Sequence, residues 1–238
     1  MWCSATKAIV GTVLGVLWHA EPFLDRLGAP WQAVAATFAA ILPFNGGTGF
    51  FVNANGDFLS ALHVVDRCAH PALQTPEGIV VGRIVAKSEQ LDLAVIRTDQ
   101  ARDAYARFPD YPTQWLVEPV SVGRYRACGG LGSWDVVPAT ATSMPGFGGG
   151  LLALAAADAM EAGNSGSPVI ERNGAVAGMV TARLEQRSET GIAVNATVIA
   201  RFLAASGVPY QTVPSVLFLL PEGLGTAAAQ HAFPLLCL

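Results

Sequence analysis

The chain reads as an all-β protein, a sandwich or a barrel, with its strands in two groups. Three observations carry that reading. Short apolar runs of strand length recur along most of the chain, punctuated by turn residues that include many of its 25 glycines and 15 prolines. No strand–helix–strand alternation interrupts them, which argues against a parallel α/β sheet. A polar break at about 98–114 divides the runs into an earlier and a later set.

Residues 1–30 read as an apolar leader, a signal- or anchor-like segment. Lys7 precedes AIVGTVLGVLW (8–18), a run without charge that fits the apolar core of a secretory signal. The run is short for a bilayer span, and Trp18 stands where a cleavage site wants a small residue. The alternative is an N-terminal apolar helix, buried or on the surface. Export is the expectation, to the periplasm, the medium or a membrane surface touched by this segment. After Pro30, WQAVAATFAAIL (31–42) fits a helix or an opening strand equally, because alanine blurs the periodicity.

Strand signals begin at residue 47. TGFFVN (48–53) and FLSALHVV (58–65) flank an Asn-Gly turn, which predicts a hairpin. GIVVGRIVA (78–86) and LDLAVIR (91–97) predict a second one around the polar KSEQ (87–90). The later set runs through 115–127, 134–144, 151–160, 167–172, 175–184 and 191–196. TVIARFLAASG (197–207) has a helical pattern closed by a glycine. The last residues, 208–238, form an apolar tail too short for another domain.

Charged residues make up 13% of the chain, about half the usual share, and mean hydropathy is +0.41. Net charge is −4, and the 14 basic residues form no cluster. A nucleic-acid partner, which wants a basic stripe, is not expected. Cysteines at 3, 68, 128 and 237 include no C-x-x-C pair. HVVDRCAH (63–70) gathers His63, Asp66, Cys68 and His70, but no second cluster completes a metal site, so no metal is expected. Export would allow disulfides, whose pairing cannot be read from spacing.

Chemistry enters at EAGNSGSPVI (161–170), where Ser165 sits between glycines. Such a cluster alone marks a turn; a nucleophile also needs a base and an orienting acid. Of the four histidines, His63 ends a predicted strand, and Asp92 interrupts the apolar LDLAVIR. Taken singly, His63 fits a half-buried satisfied imidazole and Asp92 an exposed strand end. Together they give the order His63, Asp92, Ser165, which is the order of triads on paired β-barrels. The hydrolase elbow G-x-S-x-G fails, because Ser167 occupies its last position and no Asp follows Ser165.

GTGFFVNANGDFLSALHVV (47–65), LDLAVIR (91–97) and AGNSGSPVIERNGAVAGMVTA (162–182) resemble the trypsin-like serine proteases, closest to the bacterial Deg/HtrA type. LVEPVSVG (116–123) and GIAVNATVIARFL (191–203) extend the resemblance over about 47–205. It implies two packed six-stranded antiparallel Greek-key β-barrels of chymotrypsin-like fold. The protease domain would span 31–207, with barrels at about 31–110 and 115–196 and a C-terminal helix at 197–207. His63 would be general base, Asp92 its orienter and Ser165 the nucleophile. Gly163 and Ser165 would offer backbone N–H groups to the oxyanion, and Thr181 would support Asp92 from behind. No cofactor is implied, and polypeptides are the implied substrates.

The departures narrow the reading. Asn164 replaces the aspartate that pairs with a freshly cut trypsin N-terminus, so activation of that kind is not expected, and IVGT (9–12) is a coincidence within the leader. Ser167 replaces a glycine of the usual motif, and no PDZ-type domain fits after the protease. Ala159 and Met160 align with the floor of the specificity pocket, which predicts small or medium apolar P1 side chains. Arg183 stands where a glycine usually lets substrate backbone pair, which restricts outer subsites. Two other readings compete: a catalytically silent protease-fold binding module, suggested by the glycine-rich SMPGFGGGL (143–151), and a membrane-associated metal protein built on His63, Cys68 and His70. The protease reading expects little effect from Cys68→Ser, whereas the metal reading expects loss of function.

Overall fold

The computed structural model describes residues 46–111, 118–128, 131–144, 150–156, 163–184, 187–214 and 230–238. The leader, the 31–42 segment, and Ala159 and Met160 lie outside them. Two closed six-stranded antiparallel barrels dominate, as the resemblance implied. The first contains β1 (Thr48–Phe51), β2 (Asp57–Ala61), β3 (Pro71–Thr75), β4 (Gly78–Ser88) and β5 (Leu93–Thr98). The chain then passes through the short β6 (Arg107–Pro109). The second barrel holds β7 (Glu118–Cys128), β8 (Leu131–Ser143), β9 (Leu151–Ala156), β10 (Pro168–Ile170), β11 (Val176–Leu184) and β12 (Arg187–Asn195). Beyond it come β13 (Gln211–Val213), which pairs in parallel with β6, and β14 (Ala232–Cys237).

β14 completes the first barrel, inserted between β1 and β3 in the order β1-β14-β3-β4-β5-β2. The sequence reading ended the domain at 207 and left 208–238 as a tail; this strand lies beyond that boundary and inside the barrel. Closure matters because it removes the unpaired edges of β1 and β3. A disulfide joins Cys237 to Cys68, and Leu238 and His70 exchange backbone hydrogen bonds of 3.1 and 3.2 Å beside it.

Strand alternation explains the high hydropathy. In barrel 1, Phe51, Phe58, Ala94 and Ile96 pack with Leu73, Phe233 and Leu235 in one cluster. Their neighbours Phe50, Leu59, Leu93 and Val95 belong to another, shared with Val176, Met179 and Val194 of barrel 2. Both faces of these strands are therefore buried, and each reads as a continuous apolar run rather than an alternating one. The shared cluster also takes Ile199 and Leu203 from helix α2 (Ala196–Ala205), which α1 (Leu62–Val65) precedes in the chain. Asn195 caps α2 by accepting a 2.7 Å hydrogen bond from Thr197 N.

Candidate active site

The site lies between the barrels, and each barrel contributes to it. β2 does not run to residue 65, as the sequence reading had it. It stops at Ala61, and His63 sits in the single turn of α1. One helical turn carries no periodicity that a sequence reading could detect. The turn is held in place when Leu62 N donates to Asp92 O at 3.1 Å and Asp66 N to Leu62 O at 2.8 Å.

Asp92 precedes β5 rather than lying within it, and its φ is 53°, the one non-glycine positive φ among the described residues. Left-handed backbone costs a branched or bulky residue more than Asp, whose short polar side chain tolerates it. From there the carboxylate meets His63 twice. Oδ2 lies 2.7 Å from His63 Nδ1, and Oδ1 accepts from the His63 backbone N–H at 2.8 Å. From the second barrel, the Thr181 hydroxyl donates to the same Oδ2. This contact joins Thr181 of β11 to the aspartate.

The electrostatics follow from these contacts. The hydrogen bond that His63 makes to Asp92 raises the His63 pKa above its ordinary value of 6.5, against desolvation and with help from the carboxylate's charge. Burial pushes Asp92 upward, but the bonds from the imidazole, from Thr181 and from the His63 amide outweigh it. Its carboxyl stays below the ordinary range. With Nδ1 engaged by the carboxylate, Nε2 is the ring nitrogen that Asp92 does not occupy on a half-exposed imidazole.

Ser165 lies in the turn that precedes β10. Gly163 has φ 104° and Gly166 φ 86°, conformations open to glycine and strained for other residues. At Gly166 a Cβ would also come within 1.9 Å of Thr48 O. The turn is closed by Ser167 N donating to Asn164 O at 2.9 Å, and tied to β11 by Gly166 N donating to Val180 O at 2.7 Å. Ser167 needs no positive φ, so serine fits where the resemblance expected glycine. Its hydroxyl is nonetheless buried without a partner among the described residues.

Gly47 shows how close the two halves come. A Cβ there would lie 2.5 Å from Ser165 O and 2.8 Å from Val64 Cγ2, so the serine backbone and the His63 turn flank the same point. The structure thus brings His63, Asp92 and Thr181 into one hydrogen-bonded chain and sets Ser165 beside it. Among the described residues, no hydrogen bond joins Ser165 Oγ to His63. Arg183 pairs with Gly191 in the β11–β12 ladder. Cys68 is committed to its disulfide, so one of the three ligands of the metal reading is otherwise engaged.

Comparison with known proteins agrees with this architecture. Residues 47–179 match the family described as trypsin-like peptidase domain. The Rv3671c protease from M. tuberculosis in its inactive form superposes with a TM-score of 0.54 at 24% identity, over 68% of this chain and 84% of that one. The serine endoprotease from Yersinia pestis gives 0.57 at 19% identity, over 67% of this chain and 57% of that one. At such identities the likeness is one of fold. An uncharacterized protein of Sinorhizobium fredii, y4bJ, is 30% identical over 141 residues, or 58% of this chain. The match spans only 22% of that relative's length.

Proposed function

Since the chain belongs to the trypsin-like peptidase domain family, we propose that it is a serine endopeptidase working through His63, Asp92 and Ser165. The observation that carries the reading is the two-point contact between Asp92 and His63, backed by Thr181. An imidazole held in this way presents Nε2 in the tautomer that accepts a proton.

In the proposed reaction, Ser165 Oγ attacks the scissile carbonyl while its proton passes to His63 Nε2, and Asp92 stabilises the imidazolium. The N–H groups of Gly163 and Ser165 stabilise the oxyanion; losing one such donor typically costs about 3 kcal/mol of transition-state stabilisation. Collapse of the tetrahedral species breaks the C–N bond, and the His63 proton goes to the leaving amine. Water, deprotonated by His63, then hydrolyses the acyl-enzyme and regenerates the serine.

Uncharged Ala159 and Met160 support a preference for small or medium apolar P1 side chains, with Arg183 restricting the outer subsites. A peptide-library cleavage profile tests this, and a preference for Arg or Lys would overturn it. The proposal also places the protein in an exported setting. Disulfides such as Cys68–Cys237 persist in oxidising compartments, and mass spectrometry of the mature N-terminus is the check.

The missing Ser165–His63 hydrogen bond favours one rival, a protease-fold module that binds peptides without cutting them. A fluorophosphonate probe separates the two. The enzyme reading expects covalent labelling of the wild type and none of Ser165→Ala. An unlabelled but folded wild type would leave the binding module.

A further inference from the structure

Thr48 belongs to the first barrel, yet its N–H and its hydroxyl are spent on the turn of the second. It is fully buried at the start of β1. Its backbone N–H donates to Ser165 O at 2.7 Å, and its Oγ1 donates to Gly163 O at 3.0 Å. Its own carbonyl accepts from Ser60 Oγ at 2.7 Å, which fixes the residue from the side of β2. Across β14 its register partner is Pro234, which has no N–H to offer.

We propose that Thr48 is a positioning residue for the oxyanion-binding turn, holding Gly163 and Ser165 in the orientation that aims their N–H groups at the developing charge. This rests on the reading of the protein as a serine endopeptidase. The peptide that carries the Ser165 N–H lies between the two carbonyls that Thr48 pins. A glycine at φ 104° is free to turn its peptide plane, so the residue that permits the conformation does not enforce it. The Thr48 hydroxyl supplies the missing constraint. An oxyanion site works by being organised before charge develops, so loosening the turn slows the chemical step and leaves ground-state binding alone.

The test is fluorophosphonate labelling kinetics of wild type, Thr48→Val and Thr48→Ser. Valine keeps the shape and removes the donor; serine keeps the donor and removes the methyl. Thr48→Val should lower the limiting labelling rate by about tenfold or more with little change in half-saturating probe concentration, and Thr48→Ser should recover most of it. The midpoint of the rate against pH should be the same in all three, because the His63–Asp92 pair is untouched. Wild-type rates in Thr48→Val, or equal losses in both variants, would overturn the proposal. If Thr48→Val does not fold, Thr48→Cys, whose thiol is a weak donor, takes its place, and a wild-type rate there overturns the proposal in the same way. Failure of the wild type to label is a separate result, which removes the enzyme reading and this role with it.

Discussion

At His63 a single hydrogen bond acts in opposite directions on activity and stability. In its proposed role as general base His63 must be neutral, and the Asp92 contact raises the imidazole pKa above 6.5. Labelling by the fluorophosphonate should therefore fall as pH drops through a midpoint above that value. Stability runs the other way: a raised pKa contributes fully below the unfolded value and is lost as pH rises through the folded one. Asp92→Asn removes the charge that favours the imidazolium, so the midpoint should move to lower pH while the plateau rate falls by about ten-thousand-fold. An unchanged midpoint would mean that Asp92 does not set the protonation of His63. The three residues proposed as a triad stand out in the sequence because three short motifs in one order exclude most alternatives. The left-handed backbone of Asp92, the helical turn under His63 and the grip of Thr48 do not. Each depends on an approach between segments distant in sequence.

Among the elements, β14 shows where the sequence reading ran out. Its apolar composition was plain, but composition does not name the edge that a strand will fill. β3 went unread as well; it begins at Pro71, a residue that usually demotes a strand but is tolerated at its first position. The cysteines tell the same story, since the 68–237 pairing follows from β14 lying against β3. The expectation that Cys68→Ser changes little concerned function, and the disulfide bears on stability instead. That substitution, or Cys237→Ser, should lower unfolding stability by about 2–5 kcal/mol, measured by denaturant titration, and reductant should bring the wild type to the same value. Equal stability with and without the bond would show that ladder pairing alone holds β14.

Over the whole molecule, one apolar cluster crosses from barrel to barrel, so charge inside it bears on the entire fold. His231 lies at its margin, edge-on to Phe50 and buried, with Nδ1 unpartnered among the described residues. Burial pushes its pKa down to about 4. The folded protein keeps the ring neutral while the unfolded chain takes up a proton near 6.5, so stability is lost as pH falls from about 6.5 to about 4. The full difference amounts to about 3 kcal/mol. Denaturant titrations at the two ends of that window should show this loss in the wild type and a loss smaller by that amount in His231→Phe. Equal losses in both proteins would assign the acid sensitivity elsewhere.

The placement of β14 also has a consequence for the order in which the protein is made. β1 to β5 are translated first, but the strand that closes them arrives only after the whole second barrel. At cellular elongation rates that interval is on the order of ten seconds, far longer than a hairpin needs to form. Throughout it, the nascent first barrel offers two bare strand edges to any neighbouring chain. A growing polypeptide in this condition is a natural client for chaperones until β14 emerges and fills the gap between β1 and β3.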